Sequence, residues 1–436
     1  MVPTADRPYL SVVVVSRNDN HGGDLLLRTQ AFLTNLAFLA ARHRVRTEVI
    51  MVEWNPPAGR APLSESLEWP ECGGWCSYRV VEVPREAHAR LQHAEHLPLF
   101  QMIGKNVGIR RATGRFILAT NIDLLFSNEL FEYLGRKPLR KGRYYRVDRY
   151  DVPTEVAAID SVDDQLAYCA NAVLRVNAKF GILGWDEWCR YSRHRVQWWA
   201  AKCFDYGMQR VRKHRARATR LVERIRNKAN NVAIYVRLLG FRESLRRQGP
   251  RLSWKFAKGA VLGVWGFPSF LSAEIKRRFK RTVVSATVLH TNACGDFTLL
   301  SREDWARLRG YAEFEIFSWH LDSLFIYSCF HGGAKEVVLP MPVYHIEHSG
   351  GWKPDEADQL WRRLDAKKIT YLTNDDLFAL RLQLIASGGQ HVFNTEDWGF
   401  GQHSLPEWTP GAASTSSGAA AAHDPASLTL TRGQAA

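Results

Sequence analysis

Residues 104–126 read GKNVGIRRATGRFILATNIDLLF, and this run sets the class of the fold. Its first part continues a helical segment, MIGKNVGIRRAT, that carries no proline. Its second part is an apolar run of strand length that ends on Asn121 and Asp123. The same rhythm occurs upstream. Leu10 to Ser16 (LSVVVVS) is a β-branched strand ending in the polar group RNDN, and Leu25 to Arg44 then places Leu26, Phe32, Leu33, Leu36, Leu39 and Ala40 at helical spacing. A buried-type strand from Glu48 to Val52 stops at the proline pair of VEWNPP, and YRVVEVP supplies a third strand. Strands alternating with helices in this way predict an α/β fold with a mostly parallel central sheet and helices on both faces.

The chain has 436 residues, 46 % of them apolar and 11 % aromatic, enough for a sizeable core and against disorder of the whole. LSVVVVS is too short to span a bilayer and lacks the flanks of a signal peptide, so the expectation is a cytoplasmic protein. Seven scattered cysteines fit reduced thiols rather than a disulfide framework, and Cys72 and Cys76 have no second pair with which to complete a zinc site.

The net charge of +15 is concentrated in one region. Between Arg190 and Arg281 roughly 25 Lys and Arg stand against about 4 acids, and the rest of the chain is mildly acidic. That region predicts a mostly helical basic module over 189–281. Its apolar stretch Gly259 to Leu271, bracketed by cations and interrupted by Pro268, suits the surface of an anionic membrane rather than a span. Nucleic acid is the rival partner, given Trp198, Trp199 and Tyr206, but no nucleic-acid motif occurs in the remainder. The chain returns to strand-like composition at Thr282, SREDW opens a helix with Ser301 as cap and Asp304 at the capping-box position, and KEVVLPMPVYHIEH reads as a strand pair. The expected organisation is 1–188, the module 189–281, a second half 282–397 and a disordered tail 398–436.

Asn121 and Asp123, two apart at a strand end, are expected on one side of the chain where ligands collect beyond the carboxyl ends of parallel strands. A hard cation holding phosphates needs carboxylate oxygen there, which makes Asp123 the candidate metal ligand. His345 and His348 in PVYHIEHSGG end a later strand, and imidazole beside carboxylate suits manganese.

The order of these segments resembles the GT-A glycosyltransferases, family 2-like members of the nucleotide-diphospho-sugar transferase superfamily. The resemblance covers Leu10 to Phe131 and Val283 to Gly351. GKNVGIRRATGRFILATNID is similar to the family stretch that leads into the D-x-D metal motif, with Asn121 where that motif has its first Asp. By this resemblance Asp123 bridges the cation to the diphosphate, Lys105 and Asn106 lie near the donor, and His345 or His348 returns to the metal. Ser16, Asn18, Asp19 and Glu53 stand where the family holds the nucleoside. Gly295, Asp296, Ser301, Arg302 and Gly310 fit the second half, and Asp322 in SWHLDSLF occupies the position of the acid that serves the acceptor. The implied function is transfer of a sugar from a nucleotide-diphosphate donor, a UDP-sugar by preference, to a glycan or lipid-linked acceptor. It implies Mn2+ or Mg2+ at the diphosphate, and inversion with Asp322 as base. A sugar-nucleotide nucleotidyltransferase is a second enzyme reading, but SRNDNHGGD places its glycines late and has one basic residue where that class needs a Gly-rich basic first loop.

Overall fold

Four apolar runs form adjacent parallel strands in the order β3-β2-β1-β4: β1 (Leu10–Ser16), β2 (Thr47–Trp54), β3 (Cys76–Val83) and β4 (Phe116–Thr120). The computed structural model describes residues 7–193, 288–349, 357–389 and 391–409. β1 and β2 are buried along their whole lengths, which is why they read as unbroken Val and Ile rather than as alternation. Successive residues still point to opposite faces. Val12, Val14, Val49 and Met51 pack with Phe32, Leu33, Leu36 and Leu39 of α1 (Leu25–Arg42). Val13, Val15, Ile50 and Val52 pack with Ile103 and Val107 of α4 (Gln101–Arg111). Each valine so buried stabilises the fold by about 1.5–3 kcal/mol. Helix α4 lies very close to the sheet because Gly104 and Gly108 face it. A Cβ at Gly108 would stand 2.5 Å from Cγ1 of Val13. The short helices α2 (Leu63–Ser66) and α3 (Arg85–His88) flank β2 and β3.

The sheet is mixed, which corrects the expectation of a mostly parallel one. Strand β9 (Phe297–Ser301) runs antiparallel to both β4 and β6 (Arg143–Val152), and β10 (Lys335–Ile346) runs parallel to β6. Reversal at β9 restores the original direction, so β6 and β10 end at the same edge of the sheet as β1, β2 and β4. Strand β5 (Leu124–Phe126) pairs antiparallel with β10, and β7 (Arg175–Ala178) with β8 (Gly181–Gly184) forms a hairpin on β6. The expected strand pair in KEVVLPMPVYHI is one strand whose register shifts between Leu339 and Val343, around Pro340 and Pro342, which have no N–H to donate. The segments before and after the basic region thus share one sheet.

Among the described residues the remaining α-helices are α5 (Asn128–Gly135), α6 (Val162–Asn171), α7 (Trp185–Arg193), α8 (Arg302–Leu308), α9 (Leu321–His331), α10 (Ala357–Ala366) and α11 (Asn374–Ala386). Helix α8 starts where SREDW places it: Ser301 Oγ accepts from Asp304 N at 3.1 Å and donates to the Asp304 carboxylate at 2.6 Å. Residues 288–291 form no strand, and Thr282 itself lies outside the described residues.

Residues 398–409, expected to lie in a disordered tail, are instead held against the fold. Trp398 is buried, Arg111 donates to the carbonyls of Gly399, Phe400 and His403, and β11 (Glu407–Trp408) adds to the edge of β3. The two arginines at the end of α4 capture this segment, since Arg110 likewise donates to the carbonyls of Glu396 and Trp398. Residues 194–287 and 410–436 lie outside the described ones, and with them most of the expected basic module and the rest of the expected tail. Among the described residues no helix is long and apolar enough to cross a membrane.

Candidate metal centre

Strand order reverses between β1 and β4, and in open α/β sheets ligands bind outside the carboxyl ends of the strands at such a point. β4 ends at Thr120, so Asn121 and Asp123 sit in the following turn instead of on the strand, and strand alternation does not orient them. The turn is clamped by long-range pairing: Leu124 is the register partner of His345, and Ile346 N donates to the Asp123 carbonyl at 2.9 Å. That pairing brings His345 beside Asp123. His348 follows in the next loop, which Ser349 ties to the Gly22 carbonyl through its N–H and its hydroxyl.

The three side chains predicted as metal ligands therefore meet. His348 Nε2 is 3.1 Å and His345 Nε2 3.8 Å from Asp123 Oδ2, and one ligand atom from each residue lies within 4.8 Å of the others. Ligand atoms bonded at about 2.1 Å to a tetrahedral or octahedral ion stand about 3.0–3.4 Å apart, a separation from Asp123 that His348 already meets and His345 exceeds by a few tenths of an ångström. Asp123 Oδ1 is buried without a hydrogen-bond partner, an orphaned acceptor that an ion would satisfy. Burial works to raise the Asp123 carboxyl, but His345, the His348 hydrogen bond and charge, and Arg28 together hold it well below the ordinary range. His348 shifts the opposite way: burial opposes its charge, and the Asp123 carboxylate prevails and raises it. An acid kept ionised beside two imidazoles has the donor chemistry of a divalent-cation site. No protein-family model and no curated protein matches this chain.

Sequence reasoning missed the charges around these ligands. Arg28 on α1 is almost fully buried, 3.4 Å from Asp123 Oδ2, and it also donates to the carbonyls of His21 and Gly23, fixing the loop after β1. Its signal was an arginine on the apolar face of a helix, between Leu25 and Phe32. Asp151 on β6 is the register partner of His345 and has no exposed surface. Arg149 Nε at 2.8 Å, Arg175 Nε at 2.6 Å and Asn177 Nδ2 at 2.9 Å surround its carboxylate. Asp151, His345 and Glu347 also lie close enough to hold an ion, but Arg175 pairs with Glu347 as well as Asp151, so guanidinium groups already stand where a cation would. The available signal was RVDRYDV, a strand with charges inside it.

Asn121 is engaged away from the trio's carboxylate. It donates to Asp296 at 2.5 Å and accepts from Gln101, while Arg149 Nη1 donates to the other Asp296 oxygen at 2.6 Å. Lys105 is fully buried and donates to the Gly295 carbonyl at 2.6 Å. Burial pushes its ammonium down to about 8 against the pull of Asp296, Asp322 and Asp123. Asp322, in the first turn of α9, accepts from Gly295 N at 2.9 Å and Ser323 N at 2.7 Å. Gly295 thereby links Lys105 to Asp322.

Asn106 is buried, donates to the Tyr311 carbonyl and Glu313 and accepts from Tyr311 N, so it staples the turn after α8 and both its N–H groups are engaged there. Ser16 ends β1 opposite Glu53 of β2, and Asn18 and Asp19 follow in the next loop. Ser16 Oγ is buried without a hydrogen-bond partner among the described residues. Asn18 donates to the Ala61 carbonyl and Ser66 Oγ, and Asp19 pairs with Arg17 at 2.9 Å. Glu53 accepts the Leu63 N–H with both oxygens; burial pushes its carboxyl up to about 7, with that N–H opposing.

Proposed function

We propose that the protein is a GT-A glycosyltransferase that moves a sugar from a nucleotide-diphosphate donor, a UDP-sugar by preference, to a hydroxyl of a glycan or lipid-linked acceptor. The observation that carries this reading is the convergence of Asp123, His345 and His348 at the carboxyl edge of the sheet, where its strand order reverses. Two imidazoles with one carboxylate favour Mn2+ over Mg2+, which prefers oxygen ligands. Bound there, a divalent ion would neutralise the departing diphosphate.

The chain's own groups divide the rest of the work. Ser16 at the end of β1, Asn18 and Asp19 in the loop after it, and Glu53 near the end of β2 flank the nucleoside, and Arg28 fixes that loop by its bonds to His21 and Gly23. Lys105 sets a buried positive charge among Asp296, Asp322 and Asp123, favouring an anionic leaving group. Asp322 accepts the proton of the acceptor hydroxyl as its oxygen bonds to the anomeric carbon and the bond to the diphosphate breaks, which gives inversion. Contact with an anionic membrane through residues 189–281 belongs to the same proposal and suits a lipid-linked acceptor.

Calorimetric titration with nucleoside diphosphates, with and without Mn2+, tests the reading. Saturable, metal-dependent binding of UDP is expected, with at least a ~100-fold loss in Asp123→Asn. Absence of binding to any nucleotide by folded protein, or equal affinity in the variant, would overturn it.

A further inference from the structure

We propose that Asp151 is a positioning residue that fixes the tautomer of His345, keeping the Nε2 lone pair turned toward Asp123. The inference deepens the metal-centre reading and rests on it. The His345 ring lies between two carboxylates: Nδ1 is 3.3 Å from Asp151 Oδ1, and Nε2 is 3.8 Å from Asp123 Oδ2. A neutral imidazole carries one proton, and the nitrogen that keeps it cannot be a ligand.

Three features place that proton on Nδ1. Asp151 is anchored in the sheet as the register partner of His345; Arg149 Nη2 and Asn177 Nδ2 donate to its Oδ2, and Arg175 Nε stands 2.6 Å from that same oxygen. Its oxygens are thereby held as acceptors. Neither His345 Nδ1 nor Asp151 Oδ1 has another hydrogen-bond partner among the described residues, although Arg149 Nε stands 2.8 Å from that oxygen. The separation of 3.3 Å exceeds that of a formed bond by a few tenths of an ångström, and a small ring rotation closes it. Asp123 Oδ2, by contrast, is already contacted by His348 and Arg28 and does not need the His345 proton. Metal-bound histidines ordinarily donate their second N–H to a carboxylate in this way, which orients the ring and makes it a better ligand.

Replacement of Asp151 by Asn should invert the arrangement. The guanidinium donors of Arg149 and Arg175 would claim the amide oxygen, leaving the NH2 facing Nδ1, so that Nδ1 must accept and Nε2 must carry the proton. Nitrogen-15 NMR of histidine-labelled wild-type protein without metal, above the pH at which imidazole is neutral, reads the tautomer directly; His345 is assigned by the signal lost in His345→Gln. Protonated Nδ1 and pyridine-like Nε2 are expected, with the opposite in Asp151→Asn. Mn2+ affinity measured by electron paramagnetic resonance should fall about 10–100-fold in Asp151→Asn, with no further loss when the substitution is added to His345→Gln. Protonated Nε2 in the wild type, or unchanged tautomer and Mn2+ affinity in Asp151→Asn, overturns the assignment. The wild-type spectrum decides the matter even if the variant does not fold. Protonated Nδ1 in a protein that binds no Mn2+ supports the role of Asp151 while overturning the metal reading.

Discussion

Glu53→Gln should stabilise the protein at pH 8 and leave its stability nearly unchanged at pH 5. Glu53 is buried at the end of β2, and its carboxyl is pushed up to about 7 from 4.5 because burial outweighs the Leu63 N–H bonds. A carboxyl raised on folding contributes stability that is fully present below pH 4.5 and is lost as pH rises through 7, where the folded protein must ionise it out of water. The full linkage is about 3 kcal/mol, and since local relaxation on ionisation offsets part of such a penalty, about 1.5 kcal/mol is expected. The glutamine amide cannot ionise and keeps one oxygen for Leu63 N. Urea unfolding at the two pH values should therefore give near-equal stabilities at pH 5 and a variant about 1.5 kcal/mol more stable at pH 8. Glu313, also pushed up to about 7 by burial, titrates in both proteins and cancels from the difference. A stability difference that is the same at both pH values would refute the reasoning.

Gly108→Ala would gain about 1 kcal/mol on an exposed helix, but here the methyl group meets Val13 Cγ1 at 2.5 Å in a buried strand, so a net loss of about 1–2 kcal/mol is expected in urea unfolding. A stabilised variant would show that α4 is not in tight contact with the sheet. Arg111→Ala releases the carbonyls of Gly399, Phe400 and His403, and should cost about 2–4 kcal/mol and speed proteolysis within residues 394–409. Unchanged cleavage would mean that β11 and the buried Trp398 hold the segment without Arg111. Asp322→Asn keeps an acceptor for Gly295 N and should leave UDP affinity within about 3-fold while lowering transfer about 10²–10⁴-fold. Retained turnover would remove the base.

The fold was legible wherever one segment carries its own instructions. Val12 to Val15 read as a strand buried on both faces because alternate residues meet α1 on one side and α4 on the other. SREDW reads as a helix start because the cap and its partner are three residues apart. Asp123 was legible because its chemistry and its place after an apolar run coincide. By itself, then, the sequence determined the α/β class, the leading strands and helices, the cap of α8 and the residue types suited to a cation. Tertiary structure alone decided the reversal at β9 that brings β6 and β10 to the edge where β1 and β4 end. It also decided the pairing of β5 with β10 that sets His345 beside Asp123, and the setting of Arg28, Arg149, Asp151 and Arg175 around them. The partners of Asn106 were hidden for the same reason, since they come from the distant turn at Tyr311 and Glu313. Strand order and charge pairing depend on contacts between segments remote in the chain, and local periodicity, capping and turn chemistry carry no record of which remote segment will arrive.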